Sequence, residues 1–288
     1  MTLLGLDISS SIARAILVDD TGAQLGLAAD HDYTTAIRTL LNGRRIDAAG
    51  IAVGDPAEII GGGVPAAVMK AIGTDVPPHT ASHGAAVALA EQWCGAARGA
   101  SFVVALSAAD TIDAGIVVNG QLYGGAHGLA GAAGWLALNP VEREDYRKFG
   151  CLEAEVGSPG IIRRLVWRIK SGDRSRALEL AGGNLAGITA AHVFDAARAG
   201  DGVAISVVRD TAKYIGMAVA NLVAIIDPEI VVLGGSIAEA VDLLLEPTRA
   251  ELGRRIAPTT NQQVTVVPSE LGERSAAIGA ARAAMLAR

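Results

Sequence analysis

The sequence predicts an α/β protein of two lobes built on a duplicated sheet-forming unit. Three observations carry this. Short apolar runs of strand length alternate with longer segments of helical periodicity. One plan (apolar strand, polar loop, apolar strand, glycine turn, Gln-Leu) occurs twice, about 100 residues apart. The chain of 288 residues is 51% hydrophobic but only 3% aromatic, with 35 glycines. That balance suits strands and small-residue helices in close approach.

In chain order, residues 3–7, 12–18 and 24–28 read as strands, the last two separated by the turn Asp19-Asp20-Thr21-Gly22. Residues 102–107, 114–118 and 121–123 repeat the plan, with Asn119-Gly120 as a hairpin turn. Helices are expected at 81–98, at 158–170 from a Ser-Pro start, at 189–199 and at 204–226, where Val208, Ala212, Ile215, Val219, Leu222 and Ile226 form one stripe. A strand at 229–233 follows Asp227-Pro228. Helices at 238–255 and 275–286 flank a last strand at 263–267. The restart of the plan divides the chain into lobes 1–105 and 106–288, with the C-terminal helix packing back on the first lobe.

Lys plus Arg number 24 and Asp plus Glu 30, a net charge of −6. That disfavours nucleic acid or an anionic membrane as a partner. The basic residues at 163–176 read as the solvated face of an amphipathic helix. The longest apolar run, 216–226, is too short for a bilayer. No signal peptide is recognisable at the N-terminus, so a cytoplasmic address is expected. Cys94 and Cys151 cannot make a disulfide framework.

Several stretches together resemble the ROK family of sugar kinases and sugar-responsive repressors: AARG at 96–99, GIVVNGQLYGG at 115–125, GLAGAAG at 128–134, GCLEA at 150–154 and DPEIVVLGGS at 227–236. The resemblance covers nearly the whole chain. It implies an actin-like (ribonuclease H-like) ATPase fold and a homodimer. For a kinase member it implies ATP, Mg²⁺ and a hexose or amino sugar as substrate.

The chemical motifs depart from that pattern. The family's first phosphate loop, D-x-G-G-T, is Asp7-Ile8-Ser9-Ser10-Ser11 here. Asp7 keeps the Mg²⁺ position, and Ser9 and Ser11 bring hydroxyls where glycines and a threonine admit phosphate. An ordinary polar turn without a ligand is the other reading. The second loop, G-T-G-I-G-G-G, is Ala109-Asp110-Thr111-Ile112-Asp113-Ala114-Gly115. Asp110 and Asp113 then stand near the phosphates. Like charges about 4 Å apart repel by about 1 kcal/mol even in bulk water, which counts against ordinary ATP use.

At the position of the family's catalytic aspartate, the resemblance places His83. Three roles stay open: general base, ligand contact, or a capping or surface group at the helix start. Ala132 replaces the sugar-binding glutamate, and residues 54–63 are short for the sugar-binding segment, so an ordinary hexose pocket is not expected. His127 and Asn139 read as loop residues. Trp135 and residues 144–147 replace a histidine and cysteines of the family's zinc site, leaving Cys151; no zinc is expected, with Trp135 filling the space. Gly234, Gly235 and Ser236 match the adenosine-side turn, which serves either nucleotide or helix packing. The chain starts directly at the first strand, so no DNA-binding segment is expected. The leading expectation is a catalytically degenerate homologue that senses a sugar-like ligand or binds a partner. The alternative is an ATP-dependent sugar kinase in which Asp7 and Asp110 hold Mg²⁺ and His83 is the base.

Overall fold

The computed structural model describes residues 1–54, 63–73, 77–108 and 111–288, with the backbone alone at Ser236. The run Leu-Leu-Gly-Leu-Asp forms β1 (Leu3–Asp7), buried at every position, as a strand covered on both faces requires. β2 (Ala13–Val18) and β3 (Gln24–Asp30) add antiparallel to it. α1 (Tyr33–Leu41) starts where Asp32 accepts from the amides of Thr34 and Thr35, and stops at left-handed Asn42. β4 (Ala48–Val53) lies parallel to β1. After α2 (Gly63–Ile72), β5 (His79–Ser82) lies parallel to β4 and leads directly into α3 (His83–Cys94).

β6 (Phe102–Ala108), β7 (Ile112–Val118) and β8 (Gln121–Leu122) are again an antiparallel series. A helical stretch follows: α4 (Glu144–Phe149), α5 (Cys151–Val156), α6 (Ser158–Lys170), α7 (Arg176–Leu180), α8 (Ala190–Arg198) and α9 (Gly202–Ile226). β9 (Ile230–Gly235) returns parallel to β6. After α10 (Ser236–Glu239), α11 (Val241–Gly253) and α12 (Pro258–Asn261), β10 (Thr265–Pro268) lies parallel to β9, and α13 (Ser275–Leu286) ends the chain.

The sheet orders are β3-β2-β1-β4-β5 and β10-β9-β6-β7-β8. Read from β3 and from β8, they are one topology: an antiparallel trio extended by two parallel strands. The duplication predicted from three strands thus extends to five. Two compact units result. The first is Met1–Ala132 with Pro228–Ala238 and Thr265–Arg288, and holds both sheets; the second is Ala133–Asp227 with Glu239–Val264, and is helical. The boundary at 105/106 falls within β6. No described helix is long and apolar enough to cross a membrane.

In the first unit, backbone seats on backbone. A Cβ on Gly5 would stand 1.7 Å from the carbonyl oxygen of Ala277, and one on Gly50 1.9 Å from that of Ala280. These glycines are register partners on β1 and β4, so α13 rests directly on the first sheet. Its Gly279 faces the Ala86 carbonyl of α3 at 1.7 Å by the same measure, and Gly115 of β7 faces the Gly84 carbonyl at 2.2 Å. The small residues therefore build one stack: first sheet, α13, α3, second sheet. Gly5→Ala is expected to lower unfolding stability by at least about 1–3 kcal/mol through forced backbone movement. Gly202→Ala, at an open helical position, should stay within about 0.5 kcal/mol. Urea unfolding of both variants checks this; equal effects would contradict it.

Candidate functional site

The strand ends of the first unit bring together a buried polar chain. Asp7 closes β1 and is 4% exposed. Two residues on, Ser9 turns inward: its N–H and its hydroxyl both donate to Asp7 Oδ1, at 3.0 and 2.5 Å. His83 begins α3 immediately after β5. Its Nδ1 lies 2.7 Å from Ser9 Oγ and its Nε2 3.0 Å from Ser107 Oγ on β6. His83 is 6% exposed, Ser9 3% and Ser107 fully buried. The surface and capping readings of His83 are corrected, since Ser82 is the cap and accepts from Ala85 N.

The hydrogens of this chain can be assigned. Burial opposes ionisation of Asp7, yet His83 at 3.8 Å and the bonds from Ser9 hold its carboxyl below the ordinary value of 3.8. The ionised carboxylate takes the single Ser9 hydroxyl hydrogen. Ser9 Oγ must then accept from His83 Nδ1–H, and His83 Nε2 pairs with the Ser107 hydroxyl. Every group in the chain has its partner inside the protein, and Asp7-Ser9-His83-Ser107 links the first sheet to the second.

Asp113 is where the sequence reading needs correcting. Rather than facing phosphates, it is 8% exposed and sits on β7 opposite Ser107. Its oxygens accept from Gly84 N at 3.2 Å and from Ala114 N at 2.8 Å. It is therefore spent on the first turn of α3, where a helix leaves N–H groups unpaired. Burial pushes its carboxyl up, against bonds from Ser82, Gly84 and Ala114. Asp110 and residues 55–62 lie outside the described residues, as does the side chain of Ser236. Thr111, next in the second loop, donates to the Gly54 carbonyl at 2.9 Å.

Gly234 and Gly235 have structural reasons to be glycine. A Cβ on Gly234 would meet Ser107 Oγ at 2.8 Å, and one on Gly235, where φ is +60°, would meet the Ala108 carbonyl at 1.7 Å. Ser11 is exposed and stays outside the cluster; its carbonyl accepts from His31 Nδ1 at 3.0 Å. In the first loop the Ser9 N–H is spent on Asp7, and the Cβ side of Gly235 is filled by β6.

The second unit answers the other motif expectations. Trp135 does not fill the space of the family's zinc site; it is 59% exposed. Of the replacement residues, Tyr146 instead bonds the Glu155 carboxylate, which is 3% exposed. That carboxylate accepts from Tyr146 Oη at 2.6 Å, Arg143 at 3.1 Å and Arg164 at 2.9 Å. Asp145 accepts from Arg143 and Arg163. Burial, then the Glu155 carboxylate, pushes the Tyr146 phenol up. His127 is exposed, and Asn139 Oδ1 accepts from Val141 N at 3.0 Å. No group of three or more His, Cys, Asp or Glu among the described residues is placed to hold a metal.

Sequence reasoning missed Ser107 and Glu91. Both are polar residues inside apolar runs, which is the signal that was available. Glu91, fully buried on α3, accepts from Ser269 and Ser275 hydroxyls and from the amides of Ala96, Glu270 and Leu271. It ties the entry of α13 to α3.

A family model described as ROK family matches residues 72–287. The chain belongs to the ROK family. A glucokinase of Halalkalibacterium halodurans is 33% identical over 67% of this chain and 58% of its own length. The DNA-binding transcriptional dual regulator NagC of Escherichia coli is 30% identical over 67% of this chain and 46% of its own length. The chain thus spans about half to three-fifths of these curated relatives. A Streptomyces griseus ROK glucokinase, solved with glucose and AMPPNP, superposes with a TM-score of 0.84 over 99% of this chain and 100% of that one, at 22% identity. That likeness shows the shared actin-like ATPase fold.

The buried carboxylate gives a pH prediction. Asp7 has a depressed value when folded, so its stabilising contribution is present above pH 3.8 and is lost as pH falls through the lower folded value. The stability gap between wild type and Asp7→Asn should be full above about pH 5 and shrink below about pH 4. Urea midpoints across that range test it; a gap independent of pH would contradict it.

Proposed function

We propose that this ROK protein is a non-catalytic homologue, a sensor of a small sugar-like ligand or a regulatory partner of another protein, acting as a cytoplasmic homodimer. The observation that carries the reading is His83. A general base needs a free nitrogen within about 2.6–3.2 Å of the proton it abstracts. Both ring nitrogens of His83 already have partners, Ser9 and Ser107, in a nearly water-free setting. The absence of the glycines that admit phosphate points the same way, as does Ala132 at the sugar glutamate position. The relatives include both glucokinases and a xylose repressor, which supports a regulatory reading beside the kinase one.

One observation favours the kinase reading. Asp7 reaches His83 Nδ1 through Ser9 Oγ, a carboxylate relay that orients the imidazole as a base would need. Turnover by that route requires Nε2 to leave Ser107, with ATP–Mg²⁺ held at Asp7 and Asp110.

Calorimetric titration with ATP–Mg²⁺ and a hexose phosphorylation assay separate the two. The proposal expects no binding tighter than about 1 mM, about −4 kcal/mol, and no transfer. Tighter binding with turnover abolished by His83→Ala would establish the kinase. In the proposed role His83→Ala instead lowers stability by about 1–3 kcal/mol, because it leaves the buried Ser107 hydroxyl without its partner.

A further inference from the structure

We infer that the helical unit carries a second ligand site, a cleft that takes a hydroxylated organic phosphate of sugar-phosphate type. This goes beyond the reading above and does not rest on it. The cleft has a volume of about 410 Å³ and is lined by Arg143, Arg163, Arg164, Trp167, Arg168 and Asp210, with Ser206 and Val207 between them. That volume lies within the usual range for small-molecule sites.

The lining residues include four arginines and one aspartate, in a chain whose net charge is −6. The carboxylates that pair with these arginines, Glu155, Asp145 and Asp173, are not part of the wall. They hold the side chains in place. Arg143 bonds both Glu155 and Asp145, with its guanidinium 5.0 Å from the centroid of the Tyr146 ring. Arg163 bonds Asp145 and the Ala154 carbonyl. Arg164 bonds Glu155 and Thr211, and its buried Nε has no partner among the described residues. Arg168 bonds Asp173 through Nε. Each spends only some of its five N–H donors on these bonds. A fixed array of guanidinium donors suits the tetrahedral oxygens of a phosphate dianion. The basic run 163–176 is therefore more than a solvated helix face.

Two further groups define what the dianion is attached to. Trp167 is 66% exposed, so its indole lines the cleft without serving the core. An indole face of this kind stacks on the C–H face of a sugar ring. Asp210 supplies a carboxylate acceptor for hydroxyl hydrogens. Arginine, tryptophan and aspartate on one wall thus match phosphate, ring face and hydroxyls of a single ligand.

The test is a calorimetric and intrinsic-fluorescence titration of the whole chain at low ionic strength with glucose 6-phosphate, inorganic phosphate and glucose. Glucose 6-phosphate should bind about ten-fold or more tighter than inorganic phosphate, with no saturation by glucose. Arg168→Gln and Trp167→Ala should each weaken glucose 6-phosphate binding about ten-fold with thermal stability unchanged, since both side chains are substantially exposed. Three results would overturn the inference: no saturation by either phosphate compound at about 10 mM, binding that both variants leave intact, or a dimer that Trp167→Ala dissociates, which would assign the face to a second copy of the chain.

Discussion

The architecture of the first unit depends on one constraint: α13 and α3 must lie against strands, and against each other, with no side chain between the backbones. Gly5, Gly50, Gly279, Gly84 and Gly115 supply that room. Dispersion and apolar burial over so close a contact replace what larger side chains give elsewhere. This is why a chain with so few aromatic residues still forms a dense interior, with Leu3, Leu4, Leu6, Leu89 and Leu106 fully buried. Glu91 adds a polar tie, fixing the approach of α13 by accepting from its first residue, Ser275, and from Leu271 ahead of it.

The polar chain follows from the same seating. Because α3 is wedged tightly between α13 and the second sheet, its first residue is carried into the interior, where it meets the end of β1 on one side and β6 on the other. A histidine there needs partners for both nitrogens, since an unsatisfied buried polar group costs about 1–3 kcal/mol. Ser9 and Ser107 meet that need, and Asp7 completes it. Gly234 leaves the space that Ser107 Oγ occupies. The cluster is thus coherent as a structural bridge between two sheets, with each member's partner supplied by another.

Much of the fold was legible in the chain. β1, α6 and α13 begin and end where their apolar patterns do, and the Asn119-Gly120 turn marks the second hairpin. β4 was not foreseen. Its Ala-Ala-Gly-Ile-Ala-Val run is weakly strand-like, and its parallel pairing to β1 leaves no turn signal beside it. α1 also escaped notice, although Asp32 and Asn42 are residue types suited to its two caps. For the site, the sequence singles out His83, but its burial was not readable. Burial depends on Ser9 and Ser107, which lie 74 and 24 residues away in the chain. Asp113 looked like a loop charge because spacing cannot tell a carboxylate facing a ligand from one receiving helix amides. Trp135 looked like a filler because side-chain volume alone does not say that its ring stays exposed.

The central claim is that His83 is locked between Ser9 and Ser107 and is unavailable to a substrate. Nitrogen-edited NMR of the imidazole ring tests it most directly, with the spectrum recorded before and after adding ATP–Mg²⁺ and glucose at about 1 mM each. The account predicts a slowly exchanging Nδ1–H and no change at either ring nitrogen on addition. A rapidly exchanging ring, or His83 resonances that move when nucleotide or sugar is added, would contradict it.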